Sequence, residues 1–166
     1  MKKIYFLLLA SVLTITACKK KEQPCSLTVA KTVAPANEKQ MVLDYLSANS
    51  ITGAVELENS GMQYLIINPG SSERATLCSF ISISYVGKLT NGTIFDQGTT
   101  TFPLNNLIEG WKRGIPLVGE GGKIRLFVPP SLAYGGTDVI DPRTGNVVIP
   151  RNSVLIFDID VLTINN

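Results

Sequence analysis

Val154 to Ile164 is the longest period-two run in the chain, with Leu155, Phe157, Ile159 and Val161 on one face and Asp158 and Asp160 on the other. Alternation of that length specifies a strand with one buried face, because successive side chains of an extended chain point to opposite sides. Two shorter runs repeat the pattern. Phe80 to Val86 sets Ile81, Ile83 and Tyr85 against Ser82 and Ser84. Lys123 to Val128 turns Ile124, Leu126 and Val128 inward until Pro129-Pro130 removes two backbone donors. Thr90-Asn91-Gly92-Thr93 is a hairpin turn after the first of these runs, and Ile94-Phe95-Asp96 continues into a second strand or its end. Strands apolar on one face need a cover, and between them only Leu107 to Arg113 offers a helical turn. The expected class is therefore α+β: a curled antiparallel β-sheet wrapped over one short helix.

The first seventy residues read differently. Met1-Lys2-Lys3 is a basic start, and Ile4 to Ile15 is an apolar run of the length of a secretion-signal core, too short to span a bilayer comfortably. It closes in Ile15-Thr16-Ala17-Cys18, which resembles the lipobox of bacterial lipoproteins. That resemblance implies a signal peptide over residues 1–17, lipidation of Cys18, and an exported protein held at a membrane surface. Residues 18–35, polar and with two prolines, read as a tether. Residues 36–70 form a helix and strand extension: Asn37 is placed to N-cap a helix through Leu46, Met62 to Ile67 is a strand, and Asn68-Pro69-Gly70 marks a border. Residues 71–166 are the main domain. Cys25 and Cys78 form an even pair that permits a disulfide in an oxidising compartment, and free thiols are equally compatible.

Composition removes several function classes. The net charge is +2, and much of the basic excess sits in Lys2, Lys3 and Lys19 to Lys21, so the domain lacks the basic stripe a nucleic-acid binder needs. The chain contains no histidine. Ser-His and Cys-His nucleophiles, His-ligated zinc and the commonest general base go with it.

Tyr85-Val86-Gly87-Lys88-Leu89 followed by Asn91-Gly92-Thr93-Ile94-Phe95-Asp96 resembles the opening of an FKBP-type peptidyl-prolyl cis–trans isomerase domain. Phe102-Pro103-Leu104, Leu107-Ile108-Glu109-Gly110-Trp111, Pro130-Ser131-Leu132-Ala133-Tyr134-Gly135 and Leu155-Ile156-Phe157-Asp158 follow in that family's order, over residues 76 to 164. The resemblance implies a proline-binding pocket in which Tyr85, Phe95, Asp96, Ile108, Trp111, Tyr134 and Phe157 do the catalytic work. Leu107, Ala133, Ile149 and Phe102 are implied as further substrate contacts. It implies a monomer that needs no cofactor or metal and takes proline-containing polypeptides. Two departures stand out: Thr100 occupies a position that often carries an additional wall aromatic, and the loop from Tyr134 to Ile149 is longer than in minimal members. Two other functions fit parts of the pattern. One is a non-catalytic holdase on the same fold. The other is a lipoprotein that binds glycan or a partner through an all-β domain, with no aromatic cavity and an exposed Trp111.

Overall fold

The computed structural model describes residues 25–166. The expected signal peptide over residues 1–17, Cys18 and Lys19 to Lys21 of the expected tether lie outside the described residues. The expected curled sheet over a short helix is what the chain forms. In chain order the elements are α1 (Ala36–Ala48), β1 (Val55–Glu56), β2 (Gln63–Asn68), β3 (Phe80–Leu89), β4 (Ile94–Pro103), α2 (Glu109–Gly114), β5 (Lys123–Val128), β6 (Val139–Ile140), β7 (Val147–Ile149) and β8 (Leu155–Asn165). Six strands make one sheet in the order β1-β2-β5-β8-β3-β4, and β6 and β7 pair separately. The long alternating run becomes β8, antiparallel to β3 on one side and β5 on the other. Its period carries Phe157, Ile159 and Val161 onto the concave face beside Ile81, Ile83, Ile124 and Leu126, all buried.

Helix α2 lies in that concavity. It approaches the sheet closely because Gly110 and Gly114 face it: a Cβ on Gly110 would come 2.6 Å from Val128 Cγ1, and one on Gly114 would come 2.6 Å from Leu126 Cδ1. On the convex face, α1 sets Val42 and Leu46 against Phe127, Val154 and Ile156.

One expectation is corrected. Helix α1 begins two residues earlier than the Asn37 cap requires: Pro35, with φ −55° and ψ 155°, is the N-cap, and no side chain among the described residues caps the helix. The Pro35 carbonyl accepts from the N–H groups of Glu38 and Lys39, so Asn37 falls inside the first turn. Gly98 to Thr101, the stretch around Thr100, is the middle of β4, paired residue for residue with Tyr85 to Ser82. Three successive threonines suit an extended, half-exposed strand, and they outweigh the single glycine. Strand β2, which precedes residue 70, pairs along β5 in the same sheet.

The leader from Cys25 to Pro35 is strapped to the domain. Cys25 is disulfide-bonded to Cys78, with Cα atoms 5.7 Å apart. Thr32 donates its N–H and its hydroxyl to the two carboxylate oxygens of Glu109 at 3.1 and 2.7 Å, and Arg113 donates to the Thr32 carbonyl at 2.9 Å. The Ala34 N–H donates to the Ser60 carbonyl at 2.9 Å.

Candidate active site

Trp111, on α2, is 5% exposed and anchors an aromatic cluster. Its ring meets Phe157 at 5.0 Å and 84°, Tyr85 at 5.2 Å and 76°, and Phe102 at 6.5 Å and 74°. Phe95 meets Phe157 at 5.7 Å and 90°. Such edge-on pairs are the favoured aromatic arrangement and hold the rings in fixed orientations. They enclose a cavity of about 220 Å³ lined by Tyr85, Phe95, Asp96, Phe102, Ile108, Trp111, Tyr134 and Phe157.

Local backbone geometry brings these side chains together. Phe95 and Asp96 are adjacent in sequence and would point to opposite faces of a regular strand. The pairing passes from Gly87↔Asp96 to Lys88↔Ile94, so Phe95 is the extra residue of a β-bulge, and both side chains reach the cavity. Gly87 makes room for it: a Cβ there would lie 2.6 Å from Phe95 Cζ. Ile108 is the residue before α2, and its carbonyl accepts from the Trp111 and Lys112 N–H groups at 3.0 and 3.1 Å.

The polar atoms divide into committed and free. The Tyr85 hydroxyl donates to Asp96 Oδ2 at 2.7 Å. Burial first, then that hydrogen bond and the Asp96 charge, push the Tyr85 phenol up to about 12. Burial and the Asp96 charge also raise the Tyr134 phenol, so both are neutral donors at physiological pH. The Tyr134 hydroxyl and the Ile108 N–H meet no acceptor among the described residues, and Trp111 Nε1 is buried without a partner.

A second cavity of about 260 Å³ shares Phe95, Asp96 and Tyr134 with the first, and adds Val139, Ile140, Asp141, Pro142, Val148 and Ile149. The long loop is therefore a structured hairpin. Its tip is closed by Asp141 N–H to the Asn146 carbonyl at 2.9 Å and Gly145 N–H to the Asp141 carbonyl at 2.8 Å. Arg151 and Asp138 pair at 3.0 Å across its base.

Of the residues expected as substrate contacts, Phe102 lines the first cavity and Ile149 the second. Leu107 and Ala133 are half-buried against the core and line neither. Gly87 carries no role of its own in a reading by sequence alone, and the hairpin residues Val139, Ile140, Pro142 and Val148 enter it only as part of the long loop between Tyr134 and Ile149. The signals were the glycine within the Tyr85-Val86-Gly87 match and the unusual loop length. Thr100 shares the concave face with Phe102 and is exposed, so the wall is low there. Volume alone points elsewhere, to hollows of about 480 Å³ beside α1 and about 460 Å³ under the leader. Neither collects an aromatic cluster, and the smaller cavity is the chemically organised one.

Comparison with known proteins agrees with this geometry. Residues 71–162 match the family described as FKBP-type peptidyl-prolyl cis-trans isomerase. The FKBP-type peptidyl-prolyl cis-trans isomerase FkpA of Aeromonas hydrophila is 37% identical over 144 residues, which are 83% of this chain and 51% of that protein. The crystal structure of FkpA from Escherichia coli gives a TM-score of 0.65 at 29% identity, covering 78% of this chain and 60% of that one. A peptidyl-prolyl cis-trans isomerase from Pseudomonas syringae pv. tomato gives 0.65 at 26% identity, covering 81% and 99%. The chain spans about half the length of the curated relatives it matches. With more than half of its residues inside the matched stretch, the chain belongs to the FKBP-type peptidyl-prolyl cis–trans isomerase family.

Proposed function

We propose that this protein catalyses cis–trans isomerisation of X-Pro bonds in exported polypeptides, working at a membrane surface to which acylated Cys18 anchors it. The observation that carries the reading is the convergence of Tyr85, Phe95, Asp96, Trp111, Tyr134 and Phe157, from four strands and loops and one helix, on a single aromatic cavity with uncommitted donors at its rim.

Unaided rotation about an X-Pro bond takes tens to hundreds of seconds, against a barrier of roughly 20 kcal/mol set by amide resonance. No bond breaks. The planar amide has more charge separation than the twisted one, and water favours the planar form. An apolar, water-poor cavity therefore binds the twisted state better than the ground state, which is the differential binding that lowers a barrier. Tyr134 O–H and Ile108 N–H are free to donate to substrate carbonyls on either side of the proline and hold the chain bent. Asp96, already accepting from Tyr85, fixes that ring and moves no proton. Export is supported by the apolar run ending at Cys18 and by the Cys25–Cys78 disulfide, a bond of oxidising compartments.

The test is a protease-free isomerisation assay on peptides that differ only in the residue before proline, with acceleration over the uncatalysed rate expected for each. The exposed Thr100, which lowers one wall, favours a second reading as a protein that grips proline segments without turning them over. Tight peptide binding with no acceleration would select that reading. Anchoring is tested by detergent phase partitioning, with wild type in the detergent phase and Cys18→Ala in the aqueous phase.

A further inference from the structure

Strand β4 ends the sheet, and no described group hydrogen-bonds to its outer backbone edge. From Gln97 to Thr101 it reads Gln-Gly-Thr-Thr-Thr, all exposed and none charged. Exposed edges invite pairing with another chain, and proteins usually guard them with lysine, proline, a bulge or a covering element. Here the bulge is at Phe95 and the proline at Pro103, so the stretch between is a regular, unguarded ladder edge. Its concave side is open as well. A Cβ on Gly98 would meet nothing within 4 Å, and Thr100 stands exposed two residues on. Both ends of the strip belong to the cavity, through Phe95 and Asp96 at one end and Phe102 at the other.

We propose that the free edge of β4, from Gln97 to Thr101, is a docking strip for the extended chain that flanks the substrate proline. That chain adds a strand to the sheet while the proline occupies the cavity. The inference rests on the isomerase reading of the cavity. Proline has no N–H and cannot sit within a ladder, whereas the residues beyond it can donate and accept normally. The division of labour follows from that: ring in the cavity, flank on the edge. Main-chain pairing gives affinity with little demand on side chains. An uncharged lip of glycine and threonine repels neither sign of charge, which suits substrates of many sequences.

Three peptides with one common Leu-Pro core distinguish the outcomes: the core alone, the core extended by about six residues on each side, and the extended form with alternate flank nitrogens methylated. Methylation deletes ladder donors and leaves the core unchanged. The extended peptide should show a KM about tenfold below that of the core at unchanged kcat, and methylation should abolish the gain. In hydrogen exchange, the alternate amides between Gln97 and Thr101 that face the free edge should slow with the extended peptide alone. Equal KM values and no protection by the extended peptide overturn the strip even if the core peptide is turned over. Failure to turn over any peptide overturns the isomerase reading instead, and the exchange measurement still reports on the strip. Protection of the same amides without peptide, rising with protein concentration and accompanied by a dimer in sedimentation, assigns the edge to a second copy and refutes the proposal.

Discussion

Reduction of the Cys25–Cys78 bond should cost a large share of the stability of the fold while sparing the cavity. The two cysteines are separated by 53 residues. Closing a loop of that length in the unfolded chain removes about 14 cal/mol/K of entropy, or about 4 kcal/mol at room temperature, in the chain-entropy treatment. For a domain of this size each kcal/mol moves the midpoint by about 2–4 °C, so reduction should lower Tm by about 8–16 °C. The leader has other attachments. Thr32 is held by Glu109 and Arg113, and Ala34 by Ser60, and none of these bonds depends on the disulfide. Well below the lowered Tm, therefore, α2 should keep its place beneath the cavity, and kcat/KM should stay within about twofold. Thermal melts with and without reductant measure the shift. The Cys25→Ser/Cys78→Ser protein should melt with the reduced wild type and ignore reductant. Reduced and oxidised proteins melting within about 2 °C of one another would refute the chain-entropy reasoning. A collapse of activity well below the midpoint would show instead that the strap positions the helix.

Phe157 is 3% exposed and touches both Trp111 and Phe95, so Phe157→Ala should cost about 3–5 kcal/mol in denaturant unfolding and lower kcat/KM more than any polar substitution; Phe157→Leu is the companion that keeps more of the packing. Asp96→Asn and Tyr134→Phe should each lose tenfold or less, about 1.4 kcal/mol, in the isomerisation assay, and near-complete loss in a folded Asp96→Asn protein would falsify the desolvation mechanism. The rate should be flat from about pH 5 to 8, because Tyr85 and Tyr134 ionise well above that window. The Tyr85 hydrogen bond contributes stability below its ordinary value of 10.0 and loses it as pH rises through about 12, which phenolate absorbance and alkaline unfolding would track together. Asp158 is lowered: burial opposes its charge, but hydrogen bonds from Arg125 and Lys88 win, so its contribution is present above the ordinary carboxylate range and fades as pH falls through the lowered value. Asp158→Asn should accordingly lower Tm at pH 7 and converge with wild type at low pH.

Period-two patterning made the sheet legible because burial on one face is a property of each strand alone. Leu155, Phe157, Ile159 and Val161 need no knowledge of their partners to declare which way they point. The cavity was harder. Tyr85, Trp111 and Tyr134 could be named only through ordered motifs, since an isolated aromatic fits a core as well as a pocket. The Phe95 bulge lay beyond reach, because it belongs to the register between β3 and β4 rather than to either sequence. So did the disulfide and the Thr32 contacts to Glu109, which join residues 53 and 77 positions apart. Asn37 misled because asparagine is a good cap by type, whereas the chain direction at Pro35 decides where the first turn closes. Leu107 and Ala133 came with the motifs that contain them, and they pack half-buried against the core beside the cavity.

Strand β8 shows how one alternating run serves both stability and chemistry. Its odd positions deliver Phe157 to the cavity and Ile159 and Val161 to the core beneath it. Its even positions turn Asp158 and Asp160 to the convex face, where Asp158 bridges Lys88 of β3 at 3.0 Å and Arg125 of β5, and Asp160 pairs with Lys123 at 2.6 Å. The same strand thus ties its two neighbours together with charge on one side and keeps that charge off the other. Among the described residues only one carboxylate, Asp96, lines the aromatic cavity, and Tyr85 already occupies one of its oxygens. For a reaction whose barrier falls as water is excluded, a second carboxylate on that face would draw solvent and hydrogen-bond donors toward it. The sheet prevents this by the parity of β8. A one-residue slip of β8 would exchange Phe157 for Asp158 and lose the cavity and the ion pairs in one step.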